Sequence, residues 1–414
     1  MNTQATDTPR APAPDANGAP RLASGVELIG RFEDSGFKEP PFIARRGDGQ
    51  VVQLAPLLYA LAEEVDGRRD AEAIATALSH RIERQVTAEN VEMLLDEQLR
   101  RLGIVAGRDG ETAEVQKLDP LLALKFRTRV VPARLVHGLT TIFKPLFWPP
   151  VMVAVVAGML GLVGWLFFVH GISQSIRHVL YQPALLLMLV GGVVVATAFH
   201  EVGHATGTRY GGAKPGVMGV GIYIVWPAFY TDITDAYRLG KWGRLRADVG
   251  GMYFNAVFAL AVAAAYAATG FEPLLLLIVL QVFAIVQQSL PFVRLDGYYI
   301  ISDLTGVPDM FFRIKPVLVS LIPGRPADER VTELRPWTRR VVTAYVLIVV
   351  PVLALTAVLM IVHAPRAFAT AYDSLAARFD QIGPNFSHGQ TAQGLMNGFQ
   401  MLVLGLPSLG MVLT

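Results

Sequence analysis

PALLLMLVGGVVVATAFHEVGHAT (183–206) is an apolar run long enough to span a bilayer, and its polar end carries His200, Glu201 and His204. On a helix, histidines four residues apart stand one turn apart on a single face. Both imidazoles can then reach one divalent ion, while Glu201 stands beside the ion's water as a general base. Hydrolytic chemistry is thereby placed in lipid. Two histidines and a glutamate are costly in hydrocarbon unless they have work to do there, which disfavours a pair that merely hydrogen-bonds inside a helix bundle.

The rest of the composition agrees with a membrane protein. The 414 residues are 52% hydrophobic and only 17% charged, with a mean hydropathy of +0.42, too apolar for an ordinary soluble enzyme of this size. A net charge of +2 makes no electrostatic case for nucleic acid. The absence of cysteine excludes disulfides, thiolate ligands and a cysteine nucleophile, and leaves His, Asp and Glu to hold any metal. Residues 1–25 open with a stretch rich in Pro, Ala, Asp and Thr that has no apolar core, so they read as a disordered tail and not a signal peptide.

Residues 26–110 read as a small soluble α+β domain. FIARRGDGQVVQL (42–54) is two strands around a Gly-Asp-Gly turn, followed by helical patterns at about 55–65, 70–83 and 88–103. A hairpin with three short helices suggests a winged helix. Between Arg21 and Asp109 acidic residues outnumber basic ones, which removes the patch that a nucleic-acid ligand requires. Peptide is the better ligand. LAEEVDGRRDAEAIATAL (61–78) and VTAENVEMLLDEQLRRLGIV (86–105) resemble the peptide-chaperone domain of pyrroloquinoline-quinone biosynthesis, the precursor-peptide recognition element. Over about residues 28–106 the resemblance implies a leader peptide added as a strand to the hairpin edge. The other reading of this module is a winged-helix docking domain with no peptide ligand.

A linker and interfacial segment, 111–148, precedes a membrane domain at 149–414. About six spans are expected, at 150–170, 183–206, 248–269, 274–295, 341–363 and 393–413. Basic residues sort them. Lys117, Lys125, Arg127, Arg129, Arg134 and Lys144 precede the first span, Arg238, Lys241, Arg244 and Arg246 precede the third, and a third basic group from Arg313 to Arg340 precedes the fifth. The alternate loops are sparse, so both termini and the N-terminal module are expected in the cytoplasm. Residues 216–230, GVMGVGIYIVWPAFY, are short, punctuated by Gly and Pro, and flanked by basic residues on both sides. They read as a re-entrant hairpin, with a compact loop at the interface as the alternative. The expected fold is therefore mostly α: a polytopic membrane protein preceded by a small cytoplasmic winged-helix domain.

A catalytic zinc site needs three protein ligands and one open position. The fourth span ends in QQSLPFVRLDGYYI (287–300), where Asp296 is an acid at the membrane edge. The second and fourth spans run the same way. At 1.5 Å per residue, His200 lies roughly 25 Å and Asp296 roughly 33 Å from their outer ends, a mismatch that tilt can absorb. Asp296 is the expected third ligand. Asp232 and Asp235, after the hairpin, read chiefly as caps at the water interface.

The combination of HEVGH with Leu295, Asp296 and Gly297 on a later helix resembles the site-2 proteases, the zinc intramembrane metalloproteases. FYTDITDAYRL (229–239) and RLDGYYIISDLTGVP (294–308) are most similar to the bacterial branch described as peptide zinc metalloproteases, and the resemblance covers about residues 145–345. Pro291 matches the proline of that family's Asn-x-x-Pro segment, with Gln288 where asparagine is usual. GGMYFNAVFAL (250–260) resembles its glycine-proline-asparagine helix start, with Met252 in the proline position and Asn255 kept. The resemblance implies Zn²⁺ on His200, His204 and Asp296, Glu201 as the catalytic base, and Gln288 and Asn255 as candidates for holding substrate or oxyanion. It further implies a peptide or transmembrane-segment substrate and a bacterial cytoplasmic membrane location. A second function class stays open: a membrane component that binds a leader peptide and passes it on or exports it. The metal site would then be structural and closed by a fourth ligand such as Asp232.

Overall fold

The structure, a computed structural model, describes residues 19–32, 34–47, 50–107, 124–171, 182–223, 226–387, 390, 391 and 393–401. The chain divides into two compact units, residues 1–33 with 39–118, and residues 34–38 with 119–414.

The first unit opens with three antiparallel strands in sequential order, β1 (Glu27–Arg31), β2 (Phe42–Arg45) and β3 (Val51–Leu54). Helices α1 (Pro56–Glu64), α2 (Ala71–Ile82) and α3 (Ala88–Leu94) follow. The expected hairpin thus gains a third strand, whose short ELIGR sequence carries too little alternation to announce it. Asp70 caps α2 by accepting the Ala73 N–H, and Thr87 with Asn90 forms a capping box on α3. Ile74, Leu78, Val91, Leu99 and Ile104 are fully buried at the centre of this unit.

The expected disordered tail is corrected at its end. Residues 1–18 lie outside the described residues, but Leu22 forms an antiparallel bridge with Val105, and Ala23 is buried. The Ala23 N–H donates to Ile104 O at 2.9 Å. Backbone pairing along the 104–106 segment orders residues that composition alone assigned to a tail.

The second unit is mostly helical. After β4 (Leu124–Val131) come α4 (Ala133–Phe143), α5 (Pro149–Trp165), α6 (Pro183–Tyr210), the hairpin β5 (Met218–Tyr223) and β6 (Trp226–Thr231), α7 (Lys241–Thr269), α8 (Pro273–Ser289), α9 (Asp296–Thr305), α10 (Ile314–Ser320), α11 (Glu329–Thr332) and α12 (Pro336–Ser387). Among the described residues four helices are long and apolar enough to cross a membrane, Pro149–His170, Ala184–Tyr210, Lys241–Thr269 and Pro336–His363, which suggests a multi-pass membrane protein. They fall on the first, second, third and fifth expected spans.

The fourth expected span is shorter than 274–295. Helix α8 has 17 residues and stops at Ser289, because Pro291 cannot donate to the helix and forces extended backbone on Leu290. The sixth, 393–413, lies outside the described residues from 402 onward. Residues 364–387, read as a loop, continue α12 as helix. The expected linker 111–148 is outside the described residues between 108 and 123, and from 124 it is β4 and α4.

The 216–230 segment is a hairpin, with β5 paired to β6 and, on its other side, to β4 in an antiparallel sheet of order β4-β5-β6. Among the described residues β6 is therefore an edge strand. The Asp232 N–H donates to Val217 O and Asp232 O accepts the Gly216 N–H. Strand alternation then turns Pro227, Phe229 and Thr231 toward the free edge. Proline on that side costs the ladder no hydrogen bond.

Residues 34–38 belong to this unit as an inserted clip. The Gly36 N–H donates to Gly306 O at 3.0 Å, the Arg335 N–H to Gly36 O at 2.9 Å and the Lys38 N–H to Glu333 O at 2.8 Å. The buried Phe37 ring lies under the Arg313 guanidinium, 4.9 Å from its centroid.

In the first unit, Asp66 accepts the backbone N–H groups of Arg68 at 2.9 Å and Arg69 at 3.0 Å. The Arg69 amide first, then that of Arg68, hold its carboxyl down at about 2. A depressed carboxylate stabilises the fold above its unfolded value near 4 and loses that contribution as pH falls toward 2. Carboxyl ¹³C titration is expected to place the Asp66 midpoint near 2. Asp66→Asn should flatten the stability profile between about pH 4 and pH 2.

Candidate metal centre

The site begins with the crossing of α6 and α7. A Cβ on Gly203 would stand 2.2 Å from Gly250 O, one on Gly250 2.5 Å from Gly203 O, and one on Gly207 2.7 Å from Arg246 O. Only glycine permits backbones this close. The approach brings the α7 backbone to the α6 histidines. His204 Nδ1 lies 2.8 Å from Ala247 O and donates to it, which leaves the Nε2 lone pair free for a ligand.

His200 Nε2 and His204 Nε2 are 3.0 Å apart. Asp296 completes a triangle, with Oδ2 3.2 Å from His200 Nε2 and Oδ1 3.4 Å from His204 Nε2. Both imidazoles are buried. Metal–ligand bonds of about 2.0 Å at tetrahedral angles separate ligand atoms by about 3.3 Å, so this triangle has the dimensions of one face of such a site. The residues fit the ion. Gly251 keeps the space open, because a Cβ there would lie 2.4 Å from His200 Nε2 and 2.5 Å from His204 Nε2. Ligand atoms of His200, Glu201 and His204 all lie within 4.8 Å of one another, a buried group that could hold a metal ion.

Asp296 reaches the histidines although it sits beyond a straight continuation of α8. The chain breaks at Leu290–Leu295, and Asp296 starts α9. Helix α9 seats closely because Gly297 has no side chain, since a Cβ there would be 2.2 Å from Ser289 O. The depth mismatch expected from two straight spans therefore disappears in a turn. Arg244 on α7, also buried, donates from Nε to Asp303 Oδ1 on α9 at 3.0 Å and so ties the two helices together.

Glu201 is held from the hairpin. The Thr231 hydroxyl, at the end of β6, donates to Glu201 Oε2 at 2.7 Å. Thr231, Gly203, Gly207 and Gly251 are not among the site residues expected from the sequence. Gly203 and Gly207 do form a small-xxx-small pair readable in the sequence, whereas nothing local marks Thr231.

Asn255 and Gln288 line one cavity with His200. Asp232 and Asp235 are occupied elsewhere. Asp232 Oδ1 accepts the Thr234 hydroxyl at 2.7 Å, and Asp235 accepts the Lys214 N–H at 2.8 Å and pairs with Arg238 at 2.8 Å. These are the turn and cap roles expected of them.

Comparison with protein-family models, with curated proteins and with solved structures finds no match to this chain.

Gly251→Ala puts a methyl group between the ring nitrogens. It is expected to lower bound metal by at least about tenfold while helix content by circular dichroism stays at the parent level. Metal analysis of the purified variant checks this, and parent-level metal would contradict the assignment of the space to an ion.

Proposed function

We propose that this chain is a zinc intramembrane metalloprotease of the site-2 protease type, acting on a membrane-associated or leader-bearing peptide. The observation that carries the reading is the buried triangle of His200, His204 and Asp296 with Glu201 beside it. His200, His204 and Asp296 would hold Zn²⁺. When bound, the ion supplies Lewis-acid activation of water and of the scissile carbonyl.

The remaining steps belong to the chain's own groups. Glu201, oriented by Thr231, takes the proton of the attacking water and delivers it to the leaving nitrogen. The amides of Asn255 and Gln288, in the cavity with His200, donate to the oxygen on which charge develops. Substrate must be extended, because a helical segment hides its carbonyls. The edge of β6 supplies a template for it, with the Phe229 and Thr231 N–H groups turned outward beside the residue that orients the base. Engagement of Asp232 Oδ1 with Thr234 supports a site left open for water over one closed by that carboxylate.

The location that goes with this reading is a bacterial cytoplasmic membrane, with basic loops and both termini inside. The N-terminal unit would receive a leader peptide on a free edge of its sheet.

Metal analysis of purified protein, with a cleavage assay against peptides encoded nearby, tests the reading. Glu201→Gln is expected to retain zinc and to lose cleavage by about a hundredfold or more, whereas His204→Ala and Asp296→Ala lose both. Full proteolysis by Glu201→Gln would end this mechanism. Thr231→Val should keep zinc and lower kcat more than it raises KM, by roughly threefold to thirtyfold, because only the aim of the base is lost. Steady-state kinetics on the same substrate measures that split.

A further inference from the structure

Between Pro273 and Val286 helix α8 has one polar residue, Gln281. It is 2% exposed, and among the described residues its amide makes no hydrogen bond. A buried amide without a partner is unfavourable in any interior and more so at membrane depth, where water does not compete for it. Gln281 lies on the wall of the cavity of about 190 Å³ that reaches His200, together with Thr197 and Asn255. Gln288 is on the same wall, seven residues or two turns along α8, which places Gln281 about 10 Å farther from the end of the helix that leads to Asp296.

The exposed part of this cavity's lining is apolar except for Gln287, which adjoins Gln288 near the Asp296 end. Phe283 and Val193 line it from α8 and α6, at 64% and 37% exposed. A ligand coming past them enters from the hydrocarbon side. Its body must then be apolar, while the part that reaches Gln281 must be able to donate or accept a hydrogen bond. The space is well above the roughly 10–15 Å³ that a single water requires, enough for one side chain.

We propose that Gln281 is a specificity-determining residue: it forms the floor of a subsite that takes one hydrogen-bonding side chain of an otherwise apolar, membrane-embedded substrate segment. This rests on the hydrolytic reading of the His200 site. Along an extended substrate, the roughly 10 Å between Gln288 and Gln281 spans about three residues at about 3.3 Å each. The selected residue therefore lies about three positions from the scissile bond, on the side buried in lipid. An amide both donates and accepts, so Asn, Gln, Ser and Thr satisfy it and Leu does not.

The test uses the full-length protein in lipid vesicles and a host peptide of about 20 Leu and Ala residues, long enough to span them. A single Asn is moved through the host one position at a time. The parent enzyme is expected to cleave one Asn position with kcat/KM at least about tenfold above the all-apolar host. Q281L should bring that ratio to within about twofold, chiefly through KM, and Q281N should restore part of it. Zinc content equal to the parent's shows that Q281L is folded. A ratio unchanged in Q281L overturns the proposal. So does an equal fall in cleavage of every peptide, which would make the cavity a water supply.

Binding separates this inference from the reading beneath it. In the E201Q background, photo-crosslinking of the same peptides reports occupancy without hydrolysis. If the parent cleaves nothing but Q281L abolishes selective capture of the Asn peptide, the subsite stands and the protease reading falls. Capture that ignores the Asn position, or that survives in Q281L, sinks the subsite whatever is cleaved.

Discussion

The close crossing of α6 and α7 is the constraint on which the rest depends. Gly203 and Gly250 bring their backbones together at distances that no side chain allows, and the small residues replace the hydrophobic driving force that lipid cannot supply between apolar helices. That approach hands His204 the carbonyl of Ala247 as a fixed acceptor. It also sets Gly251 against both ring nitrogens. A helix pair separated by ordinary side chains would leave the imidazoles free to rotate and no carbonyl to select their tautomer.

The other two parts of the site come from breaks in regular structure. Pro291 ends α8 early, so the chain turns and presents Asp296 as the first residue of α9. The edge strand β6 ends at Thr231, whose hydroxyl meets Glu201. Helix, turn and strand edge thus each contribute one element, and the pair of buried Arg244 with half-buried Asp303 keeps α9 in register with α7. Burial raises the Asp303 carboxyl, and the guanidinium beside it works against that shift.

Chemistry and packing differ in how far the sequence alone reveals them. HEVGH and the Asp-Gly of Leu295–Gly297 are legible because helical periodicity puts His200 and His204 on one face, and because an acid at a membrane edge is rare. The four long apolar helices are legible from hydropathy. The third strand of the first unit, the docking of residues 34–38, the strand β4 within the expected linker and the continuous helix beyond His363 are not. Each depends on a partner distant in the chain, as when Gly36 pairs with Gly306 and Arg335 or β4 pairs with β5.

By itself, then, the sequence determined which residues can do chemistry: two imidazoles and a glutamate on one helical face, a later carboxylate, and the apolar lengths that carry them. Tertiary structure alone decided that these groups meet within 3.0 to 3.4 Å, that Thr231 holds Glu201, and that Gln281 faces a cavity instead of a neighbour. The reason is physical. Periodicity is a property of a single helix and can be read locally, whereas distances between elements follow from how closely their surfaces can pack, and here glycines spread over two helices and a turn set that limit.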